Sequence, residues 1–102
     1  MARFDVYSYS SKSVPLVLDV QADLLGELNS RVVAPLCLES KSRIEVLPKL
    51  KPLIEIKGKT YILMTTDIGT VHKAELGDFV VNLEQEYRDV IVEALDFLFQ
   101  GF

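Results

Sequence analysis

Between Leu83 and Gln100 no glycine or proline interrupts the chain, and Gly101 follows as a stop. A helix over about 83–100 is therefore predicted. Asn82 is a good N-cap residue, and Gln85, three positions on, suits the reciprocal half of a capping box. Glu84 and Glu86 stand where the helix dipole favours negative charge.

The segments before this helix alternate with period two and are punctuated by turns. Phe4, Val6 and Ser8 alternate with Asp5, Tyr7 and Tyr9, and after the polar stretch Ser10-Ser11-Lys12-Ser13 a second run extends from Pro15 to Val20. These two runs predict an antiparallel hairpin, with Leu16, Leu18 and Val20 on one face and Val17 and Asp19 on the other. Asp23-Leu24-Leu25-Gly26 is too short for a helix, and its adjacent leucines point in different directions. Arg31 to Leu38 reads as a third strand, placed by Pro35 on an edge or beside a bulge. Glu39 to Lys51 reads as a long loop or irregular helix. Pro52–Lys57 and Thr60–Thr66 flank Gly58 as a second hairpin. Thr70–Lys73 forms a short strand, and Gly77-Asp78 a turn before Phe79-Val80-Val81. Short strands over about 3–81 and one terminal helix predict a single domain over residues 1–102: a small antiparallel barrel with a helix packed across it.

The predicted helix carries more apolar surface than packing on one sheet requires. At about 100° per residue, Leu83, Tyr87, Val90, Ala94 and Leu98 form one stripe, widened by Ile91 and Phe97, against Glu86, Asp89, Glu93, Asp96 and Gln100. Val92, Leu95 and Phe99 lie beyond that stripe. A deeply seated helix or a dimer interface would cover this flank, and so would a recognition surface for another protein. The segment Phe97-Leu98-Phe99-Gln100-Gly101-Phe102 sets aromatic surface beside the negative helix end and Asp96. A partner carrying arginine suits such a tip, because guanidinium stacks on aromatic faces and binds carboxylates.

Charge is unevenly shared. Residues 1–74 carry a net charge of +2 and residues 75–102 one of −6, for −4 in all at a pI near 4.9. This argues against non-specific nucleic-acid binding. No apolar run approaches the roughly 20 residues of a membrane span, and the first residues lack the apolar stretch of a signal peptide. The lone Cys37 points to a reducing, cytoplasmic setting. The six basic residues between Lys41 and Lys59 are interleaved with Glu39, Glu45 and Glu55, as on a solvated mixed face or an acceptor for an acidic disordered peptide.

Catalytic constellations are scarce. His72, the only histidine, reads as an exposed strand residue, and Cys37 as a buried structural thiol. No His/Cys spacing fits zinc, and the glycines form neither a phosphate loop nor a dinucleotide fingerprint. Thr65-Thr66-Asp67 reads as a strand end closed by side-chain-to-backbone bonds. No cofactor, metal or catalytic residue is expected.

The segments Phe4-Asp5-Val6-Tyr7-Ser8-Tyr9, Leu18-Asp19-Val20-Gln21-Ala22-Asp23-Leu24-Leu25 and Arg31-Val32-Val33-Ala34-Pro35-Leu36 resemble the first half of the CcdB toxins. Leu63-Met64-Thr65-Thr66-Asp67-Ile68 and Phe99-Gln100-Gly101-Phe102 are similar to the second half. The resemblance implies an SH3-like barrel of the CcdB/MazF/Kid type with a C-terminal helix, forming a homodimer. It implies a toxin that binds the DNA gyrase A subunit and traps the enzyme on cleaved DNA. A CcdA-like antitoxin neutralises such toxins, and the two together repress their operon, so DNA is met only through the antitoxin complex. The family's gyrase-binding positions fall on Leu24, Leu25, Asp96, Phe99, Gln100, Gly101 and Phe102. Both leucines replace isoleucines, and Asp96, Gln100 and Phe102 stand where the best-known member has Asn, Trp and Ile. Two other expectations compete: an endoribonuclease toxin of the MazF/Kid type on the same barrel, and a homologue that binds antitoxin without poisoning gyrase.

Overall fold

In the computed structural model, which describes residues 2–9, 14–25, 28–39 and 48–101 apart from the Leu24 side chain, a helix lies across one curled antiparallel sheet. The strands are β1 (Asp5–Tyr9), β2 (Leu16–Asp19), β3 (Ser30–Leu38), β4 (Leu53–Ile56), β5 (Lys59–Leu63), β6 (Gly69–His72) and β7 (Leu76–Asn82), followed by α1 (Glu84–Gln100). Their order is β4-β5-β3-β2-β1-β7, with β6 also paired to β3. This half-barrel with a terminal helix is the architecture the sequence predicts. Its core joins Phe4, Val6, Leu18, Leu36, Ile54 and Leu63 of the sheet to Leu83 and Ile91 of the helix segment. Each such side chain, fully buried, contributes about 1.5–3 kcal/mol.

Both predicted hairpins form. In β1–β2, Val6 pairs with Leu18 and Tyr7 with Val17, while the intervening Ser10–Ser13 stretch lies outside the described residues. In β4–β5, Ile54 pairs with Tyr61 across Lys57-Gly58, both at positive φ. The strand ends at Leu63 rather than Thr66, because Thr65–Asp67 turn into a 3-10 helix. There Thr65 Oγ1 donates to the Leu50 carbonyl at 2.6 Å, the closing bond expected of this run.

Three further parts of the sheet differ from expectation. β3 is central, not an edge: it pairs with β2 along one side and with both β6 and β5 along the other. Pro35 is tolerated because its nitrogen faces the changeover between β6, paired to residues 30–33, and β5, paired to residues 36–38. The Pro35 carbonyl, on that same side, accepts from Met64 N–H at 2.9 Å. Gly77-Asp78 is not a turn. β7 runs through it with two register shifts against β1, and the glycine allows the close approach of Ser8, whose Oγ accepts from Asp78 N–H at 2.8 Å. A Cβ at position 77 would run into the Ser8 side chain.

The third difference is β2, which is buried on both faces. On the face assigned to Val17 and Asp19, Asp19 is met by Arg31, and neither side chain is solvent-accessible. Arg31 Nε donates to Asp19 Oδ2 at 2.8 Å. Nη2 lies 2.6 Å from the same oxygen, off the hydrogen-bonding direction, and Nη1 has no acceptor among the described residues. Burial pushes the Asp19 carboxyl above the usual range, against the pull of the Gln21 N–H and the guanidinium.

α1 starts one residue later than Asn82 would place it, with Leu83 at the N-cap. Asn82 Oδ1 still accepts from Glu84 N–H at 2.9 Å, while its amide nitrogen is bound to the Arg3 carbonyl and Asp5 Oδ1. Gln85 takes no part; a capping box forms at His72 and Glu75 instead. Burial centres on Ile91 and Ala94, so Val90, assigned to the stripe, is 41% exposed. Val92 and Leu95, on the extra flank, pack against the core.

On the outer side of β1, Tyr7 meets Phe79 edge-on at 6.0 Å, and Tyr7 Oη donates to Asp5 Oδ2 at 2.9 Å. Burial, then the bond to and charge of Asp5, push the Tyr7 phenol up to about 12. A folded-state value raised above the ordinary 10.0 stabilises the fold fully below pH 10.0, and that contribution is lost as pH rises towards about 12. Replacing Tyr7 with phenylalanine should therefore flatten the alkaline decline in denaturation midpoint; an unchanged slope would exclude this role for Tyr7.

Candidate functional site

Two leucines in a loop and an aromatic helix end are far apart in sequence, and the fold brings one member of each together. Asp23–Leu25 form a 3-10 turn between β2 and β3. α1 crosses the sheet so that its final turns face that turn. Between them lies a groove of about 380 Å³, lined by Leu25, Leu95 and Phe99 with Val20, Val32, Ile68, Gln21, Ala22 and Arg3. Leu25 is 50% exposed and Phe99 73%, the largest exposure among the exposed large hydrophobic side chains of the described residues.

The helix end is closed by Gly101, at φ +80° in the left-handed region that glycine adopts without steric cost. Its N–H donates to the Phe97 carbonyl at 2.9 Å. Asp96 and Gln100 are exposed on the same final turns but do not line the groove. With no basic residue in the last turn, the unbonded carbonyls and Asp96 make this end of the helix negative. Leu24 lies in the turn by its backbone, with its side chain outside the described residues, as is Phe102.

Arg3 and Gln21 are groove residues that sequence reasoning misses. The Arg3 N–H donates to Asp23 Oδ1 at 2.7 Å, so the start of the chain fastens the turn. Its guanidinium sits 4.7 Å from the Phe4 ring, which Arg88 also approaches at 5.8 Å, and its buried Nε has no partner among the described residues. Phe4 holds a positive φ of 72°, a conformation that costs a non-glycine residue energy and needs firm surroundings. Its N–H donates to the Asp19 carbonyl, and its own carbonyl accepts from Leu83 N–H. Nothing in the local pattern around Arg3 or Gln21 signals these roles, because each depends on contacts across the fold.

The remaining chemistry-bearing residues have structural roles. His72 Nδ1 accepts from Ala74 N–H at 3.1 Å, and its backbone N–H donates to Glu75 Oε1, so the ring caps the Lys73–Glu75 turn. Cys37 is half-buried rather than buried, and burial pushes its thiol up, opposite to the shift of an activated nucleophile. Among the described residues no cluster of metal-ligating side chains occurs, and no helix is long and apolar enough to cross a membrane. Of the basic stretch 41–59, residues 41–47 lie outside the described residues. Lys49 is 3.8 Å from Glu93 and 5.5 Å from the Phe97 ring centroid, so it covers the helix.

Residues 3–101 match the model of the CcdB family, described as CcdB protein. Among solved structures, the chain is similar to an endoribonuclease in complex with its cognate antitoxin from Mycobacterial species (TM-score 0.73, 18% identity, over 97% of this chain and 94% of that one). It is also similar to an endoribonuclease from Mycobacterial species (TM-score 0.72, 18% identity, 97% and 90%). A third likeness is to the Mycobacterium tuberculosis toxin MazF-mt6 (TM-score 0.73, 16% identity, 95% and 96%). At these identities the structural likeness establishes a shared fold.

Proposed function

Because the chain belongs to the CcdB family, we propose that it is the toxin of a toxin–antitoxin pair, binding the DNA gyrase A subunit and trapping gyrase on cleaved DNA. In this reading it acts by binding, not catalysis, as a homodimer in the cytoplasm. An antitoxin resembling CcdA neutralises it, and the pair represses its own operon. The observation that carries the proposal is the groove in which Leu25 and Phe99 stand together with half or more of their surface exposed. Exposed apolar surface at a built concavity is what a protein partner requires. The negative helix end beside Phe99 favours an arginine on the partner.

Purified protein should bind the gyrase A subunit and accumulate cleaved DNA in a gyrase reaction. A folded chain that neither binds nor stabilises cleavage would sink the proposal. Deleting residues 100–102 should abolish both effects while the sheet stays folded. Gln100 offers a partner less apolar area than the tryptophan of the family's best-known member, so Gln100→Trp should tighten binding by roughly tenfold, about 1.4 kcal/mol. A chain that binds antitoxin but acts on gyrase only after this change is the non-poisoning homologue.

The fold shared with endoribonucleases favours a second reading, cleavage of RNA. The chain's net charge of −4 and the employment of the His72 ring as a cap weigh against it. Incubation with single-stranded RNA separates the two readings, since cutting by the purified chain would replace the gyrase proposal.

A further inference from the structure

Leu25 is half-exposed, so side-chain packing does little to fix the turn that carries it. Its position depends on backbone bonds. Locally, Leu25 N–H donates to the Ala22 carbonyl at 2.9 Å, and the Leu25 carbonyl accepts from Leu28 N–H at 3.2 Å. From outside, Arg3 N–H fastens the first residue of the turn through Asp23, and Gln21, a buried side chain lining the groove, fastens Leu25 itself. Its Nε2 donates to the Leu25 carbonyl at 2.9 Å, and its Oε1 accepts from Val32 N–H on central strand β3 at 2.9 Å. Its own N–H donates to Asp19 Oδ1 at 3.0 Å, the carboxylate whose other oxygen meets Arg31. One amide group thus uses its donor on the turn and its acceptor on the most heavily paired strand of the sheet.

We propose that Gln21 is the positioning residue of the partner-binding turn, holding Leu25 against the groove wall opposite Phe99 by a bond to its carbonyl. The inference rests on the reading of this groove as the gyrase site. Burial makes the bond consequential: a buried amide that loses its partners cannot readily exchange them for water. Gln21 touches the turn's backbone, and Leu25 presents the side chain, so Gln21 acts through Leu25.

The test is a double-mutant cycle with a second, binding-independent reading. Gln21→Met keeps the volume and removes both polar atoms; Gln21→Glu keeps an acceptor for Val32 N–H and, when ionised, has no donor for the Leu25 carbonyl. Affinity for the gyrase A subunit is measured for the native chain, each Gln21 variant, Leu25→Ala and the doubles. Loss of the bond should weaken binding by roughly tenfold in the native background and by less than about threefold when Leu25 is already alanine. Amide exchange at Leu25 and Leu28 should quicken by about tenfold while Ala34 and Leu36 in β3 keep their protection. Additive effects on binding, or unchanged exchange at the turn, would overturn the proposal, as would loosening of β3 to the same degree in both Gln21 variants. Should the native chain not bind gyrase, the functional reading fails and the exchange measurement alone decides the role of Gln21.

Discussion

Replacing Asp19 with alanine should lower the stability of the fold by about 3–5 kcal/mol, a large part of the 5–15 kcal/mol that holds a domain of this kind together. The reason is what remains. Arg31 is fully buried, its charge is permanent, and Asp19 is the acid it faces at 2.6 Å. Without the carboxylate, the guanidinium stays in a dry interior without the acid that pairs with it, and Nη1 already lacks an acceptor among the described residues. Removing both charges is a different experiment. Asp19→Leu combined with Arg31→Met should recover most of the loss, since a well-packed apolar pair stands in for a buried ion pair at little cost. Urea denaturation of the single and double variants measures both terms. A single variant within 1 kcal/mol or so of the native chain would mean that water reaches Arg31.

The second large effect concerns binding. Phe99→Ala should weaken association with the gyrase A subunit by at least about 2 kcal/mol, roughly thirtyfold, while leaving the denaturation midpoint almost unchanged. Phe99 is 73% exposed, so its ring contributes little to folding and is available to a partner. Phe79 provides the control. It is also an exposed aromatic, but it lies on β7, edge-on to Tyr7 and outside the groove. Phe79→Ala should leave affinity unchanged. Equal losses at the two positions in titration calorimetry would show a general effect of aromatic surface and remove the groove from the argument.

The parts of this molecule legible in its sequence are those whose structure is set by neighbours along the chain. The two hairpins announce themselves by alternation and turn residues, and α1 by its uninterrupted run and terminal glycine. Elements defined by distant partners are not legible in this way. Pro35 reads as an edge residue because a single strand contains no sign that β6 hands over to β5 opposite it. Gly77-Asp78 reads as a turn because a bulge and a turn use the same residues. The pairing of Asp19 with Arg31 is not legible because it joins residues of two different strands. At the site, Leu25 and Phe99 are visible as apolar residues without an obvious place in the core. Arg3 and Gln21, which fasten the turn, carry no pattern of their own.

The groove joins residues 3, 20–22, 25, 32 and 68 on the sheet side to residues 95 and 99 of α1. Proteins are made from the first residue to the last. A growing chain that already holds β1 through β7 therefore has one wall of the groove and lacks the other until α1 emerges and docks. Any activity that depends on this groove is withheld from unfinished chains, and it begins when the final turns of the helix reach the sheet.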